Sequence, residues 1–194
     1  LNKKECGIHF DFNGAIAKPV AAVEKNLFKD GAFIADPFRA WVDGDDPASV
    51  RYTHIPAKVF IENRAAVLAN PHPNGLLVLP ADRVEDLAAD LGRFASIAVS
   101  FPGFTDGRGY SSARLIVERY KYKGELRAVG DVLTDQFTLM RRCGINAFVV
   151  TNPGARKALE TGAFSTVNLF YQPIGGTEVP VGTRPFLRKM PETA

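Results

Sequence analysis

From Val50 onward, short apolar runs of strand length alternate with apolar stripes at helical spacing, and this rhythm constrains the fold more than any other feature of the chain. Residues 50–55 form the first run. Pro56 then stands where a first helical turn tolerates it, because the N–H it lacks would have no partner there. Ala57, Phe60, Ile61, Ala65 and Leu68 follow on one helical stripe, and Asn70-Pro71 stops it. Residues 76–79 read as a buried strand. Asp82, with Glu85 after it, resembles a capping box opening a helix that turns Val84, Leu87, Ala88 and Leu91 inward. Residues 96–101 are the next strand. Beyond a glycine-rich loop, Ala113, Ile116, Val117 and Tyr120 fall at helical spacing. A strand over 126–129 precedes a helix marked by Leu133, Phe137 and Met140 and ended by Gly144. Residues 145–150, a helix over 153–161 and a strand over 167–171 complete the series.

Strands that alternate with helices pair in parallel, since a parallel connection needs a crossover. The rhythm therefore predicts an α/β domain with a mainly parallel sheet built from about six βα units. An open three-layer sheet is one form; an incomplete β/α barrel is the alternative, because eight full units need more chain. Ahead of the rhythm, residues 27–34 read as a β-hairpin, with Asp30-Gly31 supplying the positive φ angles of a tight turn. The expected organisation is an N-terminal extension over 1–26, one domain over 27–174 and an irregular tail over 175–194. In either form ligands sit at the carboxyl ends of the strands. That edge carries the loops 80–83, 102–112, 130–135 and 151–154.

Composition removes several classes. The chain is 46% hydrophobic and 23% charged, which fits a globular domain, and a net charge of +3 does not by itself point to nucleic acid or a membrane. No apolar run reaches the ~20 residues of a membrane span. Cys6 and Cys143 are too few and too far apart for a disulfide framework, so a cytoplasmic location is expected. His9, His54 and His72 are scattered, which gives no metal-ligand spacing, and the absence of histidine beyond His72 excludes a serine triad there.

The densest chemistry lies between Phe101 and Arg114. Asp106, Gly107, Arg108, Gly109, Tyr110 and Ser111 sit where a strand gives way to a helix, and Arg114 follows. Free N–H groups at a helix start attract anions, and two guanidinium groups add forked donors suited to oxyanions. These residues are the candidate site for a small anion; otherwise the glycines only turn the chain and the serines only cap the helix. Gly107, Gly109 and Ala113 also form a degenerate dinucleotide pattern for a flavin or NAD(P), interrupted because residues 102–106 separate it from the strand. Asp131 reads first as an N-cap, worth ~1 kcal/mol. Asp135 and Gln136 fall in the following helical turn, and Arg127 stands close by in sequence. Asp106, Arg108, Arg127, Asp131 and Asp135 can alternatively satisfy one another as a buried structural network. Cys143, at a helix end, reads as an inert buried thiol.

The segments Phe101-Pro102, Phe104-Thr105-Asp106-Gly107-Arg108, Tyr110-Ser111, Ala113-Arg114-Leu115 and Glu118-Arg119-Tyr120 together resemble a bacterial signature. Gly124 to Leu133 (GELRAVGDVL), Asp135-Gln136, Arg142-Cys143-Gly144, Ala147-Phe148 and Phe170-Tyr171-Gln172-Pro173 extend it. The signature is similar to that of family 934 of the bacterial domains of unknown function, densest over 101–148 and reaching from about 27 to 173. Members of that family carry the label of oxidoreductases of sulfite reduction, from genes lying beside assimilatory sulfite reductase. The resemblance implies a role in sulfur assimilation, with sulfite reductase or another enzyme of that process as partner and a small anion as ligand. It supplies no catalytic residue, and the sequence shows no cofactor site beyond the incomplete dinucleotide pattern.

Overall fold

A computed structural model of the protein describes residues 25–164. The expected strand over 167–171 and the tail from 175 lie outside the described residues, as does nearly all of the N-terminal extension. One eight-stranded sheet organises the rest. Its strands are β1 (Leu27–Lys29), β2 (Ala32–Ile34), β3 (Arg39–Ala40), β4 (Thr53–Pro56), β5 (Gly75–Val78), β6 (Ser96–Phe101), β7 (Glu125–Gly130) and β8 (Ala147–Val149). The helices are α1 (Ala57–Glu62), α2 (Arg64–Ala69), α3 (Arg108–Arg114), α4 (Phe137–Arg142) and α5 (Pro153–Thr161).

The strand order is β2-β1-β8-β7-β6-β5-β4-β3. From β3 to β8 each strand pairs in parallel with the next in sequence, while β1 is antiparallel to both β2 and β8. The order of the parallel strands never doubles back. Right-handed crossovers repeated in one direction put their connections on a single face, whereas helices on both faces need a reversal of strand order. The incomplete β/α barrel is thus the arrangement found, rather than the open three-layer sheet.

One connection shows how far the sheet curls. β2 and β3 stand at opposite edges, yet residues 35–38 alone join them. Five Cα steps reach about 18 Å at most, while seven strand spacings in a flat sheet span about 33 Å. The edges must approach, and the sheet closes into a half-barrel with residues 35–38 strapped across its inner side.

All six residues of β6 are buried, as a central strand covered on both faces requires. Ile97, Val99 and Phe101 face the helices, in a core with Leu76, Leu126, Phe60, Ile116 and Phe137. The register sets His54, Gly75, Ser96 and Glu125 in one row of the inner face, and Leu77, Ala98, Arg127 and Ala147 in the next.

Local chemistry explains where elements depart from the expected pattern. The 27–34 hairpin forms, with Asp30 at φ 50° and Gly31 at φ 82°. The helix expected from Asp82 is instead two 3-10 turns, Val84–Leu87 and Leu91–Arg93. The Asp82 carboxylate accepts from the Leu79 N–H at 2.7 Å rather than capping forward. Asp131 is not an N-cap either: the helical segment after it begins with a 3-10 turn at Thr134–Gln136, preceded by Leu133. Beyond α3 the helix widens into a π turn over Leu115–Arg119, where the Tyr120 N–H reaches the Leu115 carbonyl at 3.0 Å.

Candidate functional site

The loop leaving β6 is shaped by Asp106. Its N–H bonds the Gly103 carbonyl at 3.0 Å, and its Oδ1 accepts the Arg108 N–H at 3.2 Å. The same carboxylate takes the Arg108 guanidinium in a fork, at 3.0 Å from Nε and 2.7 Å from NH2. These hydrogen bonds hold the Asp106 carboxyl below its usual range. α3 starts at Arg108 with no side-chain cap. The Arg108 side chain remains 63% exposed, and Phe104 in the same loop is 63% exposed.

The face of α3 turned to the sheet is built from small residues. Gly109 and Ala113 are buried. A Cβ at Gly109 would stand 2.8 Å from the Phe101 ring and 3.1 Å from the Ser100 carbonyl oxygen, so this glycine serves close helix–strand approach. Tyr110 packs edge-on against Phe101, with ring centroids 5.0 Å apart. Ser111 is exposed. Arg114 pairs with Glu118 one turn on, at 3.2 Å. Six positions along a helix rotate a side chain by about 240°, so Arg108 and Arg114 diverge, each into its own local ion pair.

The loops after β6 and β7 do share an edge. Phe101 registers with Gly130, and the Asp131 N–H bonds the Phe101 carbonyl at 2.7 Å. Around that edge the structure gathers Tyr110, Asp135, Cys143 and Arg114. Burial raises the Tyr110 hydroxyl, with Cys143 and Asp135 nearby adding to the shift. Burial also pushes the Cys143 thiol up, against the opposing pull of Arg114 and Arg142, which suits an unreactive thiol. Gln136 Oε1 and Ser100 Oγ are buried near this edge and have no hydrogen-bond partner among the described residues.

Arg127 belongs elsewhere. It points to the inner face, fully buried, into a cluster that sequence reasoning did not foresee. Its Nε donates to Glu125 Oε1 at 2.9 Å, and its NH2 bonds the same oxygen. Its NH1 donates to both oxygens of Asp36, at 2.8 and 2.7 Å. Glu125 further accepts from Lys29 at 2.9 Å and from the Ser96 hydroxyl at 3.1 Å, and Ser96 meets His54 Nε2 at 3.1 Å. The Phe38 ring lies 5.1 Å from the guanidinium carbon and 4.8 Å from the His54 ring centroid. Gly75 makes room for that imidazole, since a Cβ there would stand 2.3 Å from it. Burial pushes the Glu125 carboxyl up, but Arg127 and Lys29 outweigh it and hold it below its usual range. Burial, aided by the Arg127 charge, pushes His54 down to about 3. One signal was readable: Glu125 and Arg127 are two apart on one strand and so share a face.

The expected Arg–Asp network is therefore split. Asp106 with Arg108 forms a surface pair, and Arg127 pairs with Asp36 and Glu125 across the inner face. The Gly107/Gly109/Ala113 pattern does not fit a dinucleotide loop, because Gly109, where backbone would have to approach a pyrophosphate, is instead packed against Phe101 and Ser100 of β6. Among the described residues no three His, Cys, Asp or Glu side chains are grouped to hold a metal ion, and no helix is long and apolar enough to cross a membrane.

Fold and site define a class: a mostly parallel α/β half-barrel whose central strand delivers an exposed aromatic and cationic loop to the carboxyl edge. The profile of a bacterial protein family of unknown function (DUF934) matches residues 75–182, more than half of the chain, and the protein belongs to that family. The match takes in the whole of the dense signature, begins at residue 75 rather than near 27, and runs past residue 174. A search of curated proteins finds no match.

Proposed function

We propose that this protein is an accessory component of assimilatory sulfite reduction, working in the cytoplasm by docking on a partner protein, the sulfite reductase itself, through the loop after β6. The observation that carries this reading is Phe104, 63% exposed and four positions before Arg108, whose side chain is exposed to the same extent. Aromatic residues and arginine are the groups enriched at protein interfaces and their hot spots. Both stand in the densest part of the family signature, and that resemblance supports sulfur assimilation as the process. Binding of sulfite at the start of α3 is a narrower form of the proposal, in which Arg108 exchanges Asp106 for the ligand.

Deleting the gene tests it. Growth on sulfate or sulfite as sole sulfur source should slow and be restored by cysteine; equal growth of mutant and parent sinks the proposal. A Phe104→Ala, Arg108→Ala double variant should keep its melting temperature yet fail to complement, because neither side chain is buried. The buried Arg127 cluster favours a second reading, a non-catalytic structural or interaction module outside sulfur metabolism. It would be supported by a partner that copurifies with the protein but has no link to sulfur.

A further inference from the structure

We propose that the guanidinium of Arg127 is a receptor for a small oxyanion or carboxylate, and that Asp36, carried on the strap of residues 35–38, occupies it as an internal stand-in. The proposal does not depend on the sulfite reading. Its basis is the way Arg127 divides its donors. Nε and NH2 face Glu125, two residues away on the same strand and fixed by the sheet. Among the described residues, NH1 faces the two oxygens of Asp36, which belongs to no strand or helix.

The strap is held down by those side chains. Ala35 and Pro37 are exposed, and Asp36 and Phe38 are partly so. The Phe38 N–H bonds the Asp36 carboxylate of the strap itself at 2.9 Å. Among the described residues, no backbone hydrogen bond ties residues 35–38 to the sheet; the first beyond it runs from the Arg39 N–H to the Tyr52 carbonyl. What fixes the strap on the inner face is Asp36 on Arg127 and Phe38 on Arg127 and His54.

The charges demand an anion at that position. Glu125 is shared between Lys29 and Arg127, so without Asp36 two cations face one carboxylate. A buried arginine left in that state recruits the nearest planar or pyramidal oxyanion, because charge-assisted bonds to a guanidinium are strong and directional. The Asp36 side chain is 23% exposed, so its place is reachable from solvent once the strap lifts. Carboxylates and inorganic oxyanions share this chemistry.

The test uses the full chain, with sulfite, sulfate and acetate as separate probes. Asp36→Ala should melt below wild type, and millimolar anion should raise its melting temperature by several degrees, while Asp36→Ala, Arg127→Met stays unresponsive. A larger response to sulfite or sulfate than to acetate identifies an inorganic oxyanion, and the reverse a carboxylate. In wild type the effective anion should speed amide exchange across residues 35–38, which a purely structural ion pair would not allow. If Asp36→Ala does not fold, Asp36→Asn removes the charge and keeps the shape. Single variants indifferent to all three anions, an equal rise in the double variant, or wild-type exchange that no anion moves would each overturn the proposal.

Discussion

His54 is enclosed by Phe38, Gly75 and Ser96, and its environment makes its proton costly. Its folded value of about 3 lies below the ordinary 6.5. Between those values the unfolded chain binds a proton that the folded chain refuses, so stability rises with pH through this window and is lost as pH falls below about 6.5. One such group gives a slope of about 1.4 kcal/mol per pH unit. Urea midpoints measured from about pH 5 to 6.5 should show that slope in wild type and lose it in His54→Gln; an unchanged slope would assign the effect to another group. Sequence reasoning took Arg127 for a support of the anion loop because it lies close to Asp131 along the chain. Strand alternation sends it to the other face with Glu125. Its second partner, Asp36, is 91 positions away on a segment without periodicity, so no local pattern announces it.

At the scale of elements the rhythm was read well in the central strands, but the one helix expected from Ala57 to Leu68 breaks at Asn63 into α1 and α2, leaving Ile61 and Ala65 exposed and turning Val67 inward. The strand at 96–101 and the helix at 153–161 have the expected bounds, the strands at β5, β7 and β8 differ by a residue or two at their ends, and β4 begins three residues later than expected, at Thr53. The losses came where one polar side chain chose its partner. Asp82 turned back to Leu79, and the stretch after it became 3-10 turns. The π turn after α3 was not legible, because one widened turn barely alters the spacing of Ala113, Ile116 and Tyr120. The stop after α4 was legible, and the structure adds a second reason for it. Gly144 has φ 93°, and a Cβ there would stand 2.7 Å from Val117 on the π turn. Gly144→Ala should therefore destabilise by about 1–3 kcal/mol through backbone strain, before the clash is added. Chemical denaturation would show it, and a variant as stable as wild type would mean that the π turn yields to make room.

For the molecule as a whole, strand–helix alternation established parallel pairing but could not say whether the strand order reverses. That depends on the strap and on β3, an edge strand of two residues with no sequence signal. The same topology places β1 beside β8, with Phe28 opposite Phe148, about 120 positions apart. During synthesis the hairpin leaves the ribosome early and waits for its neighbour until residues 147–149 emerge. Pairing of such high contact order is slow, and until then β1 and β7 both present unpaired edges, the kind that recruit other chains. Nascent chains arrested before residue 147 should be cleaved readily by protease within residues 27–34 and should engage holding chaperones. Chains arrested far enough beyond residue 164 for β8 to clear the exit tunnel should become resistant in one step; resistance that grows gradually with length would mean that the hairpin docks without its partner strand. A mutation in β8 would then show itself first as a defect of delivery, in the yield of chain that survives translation.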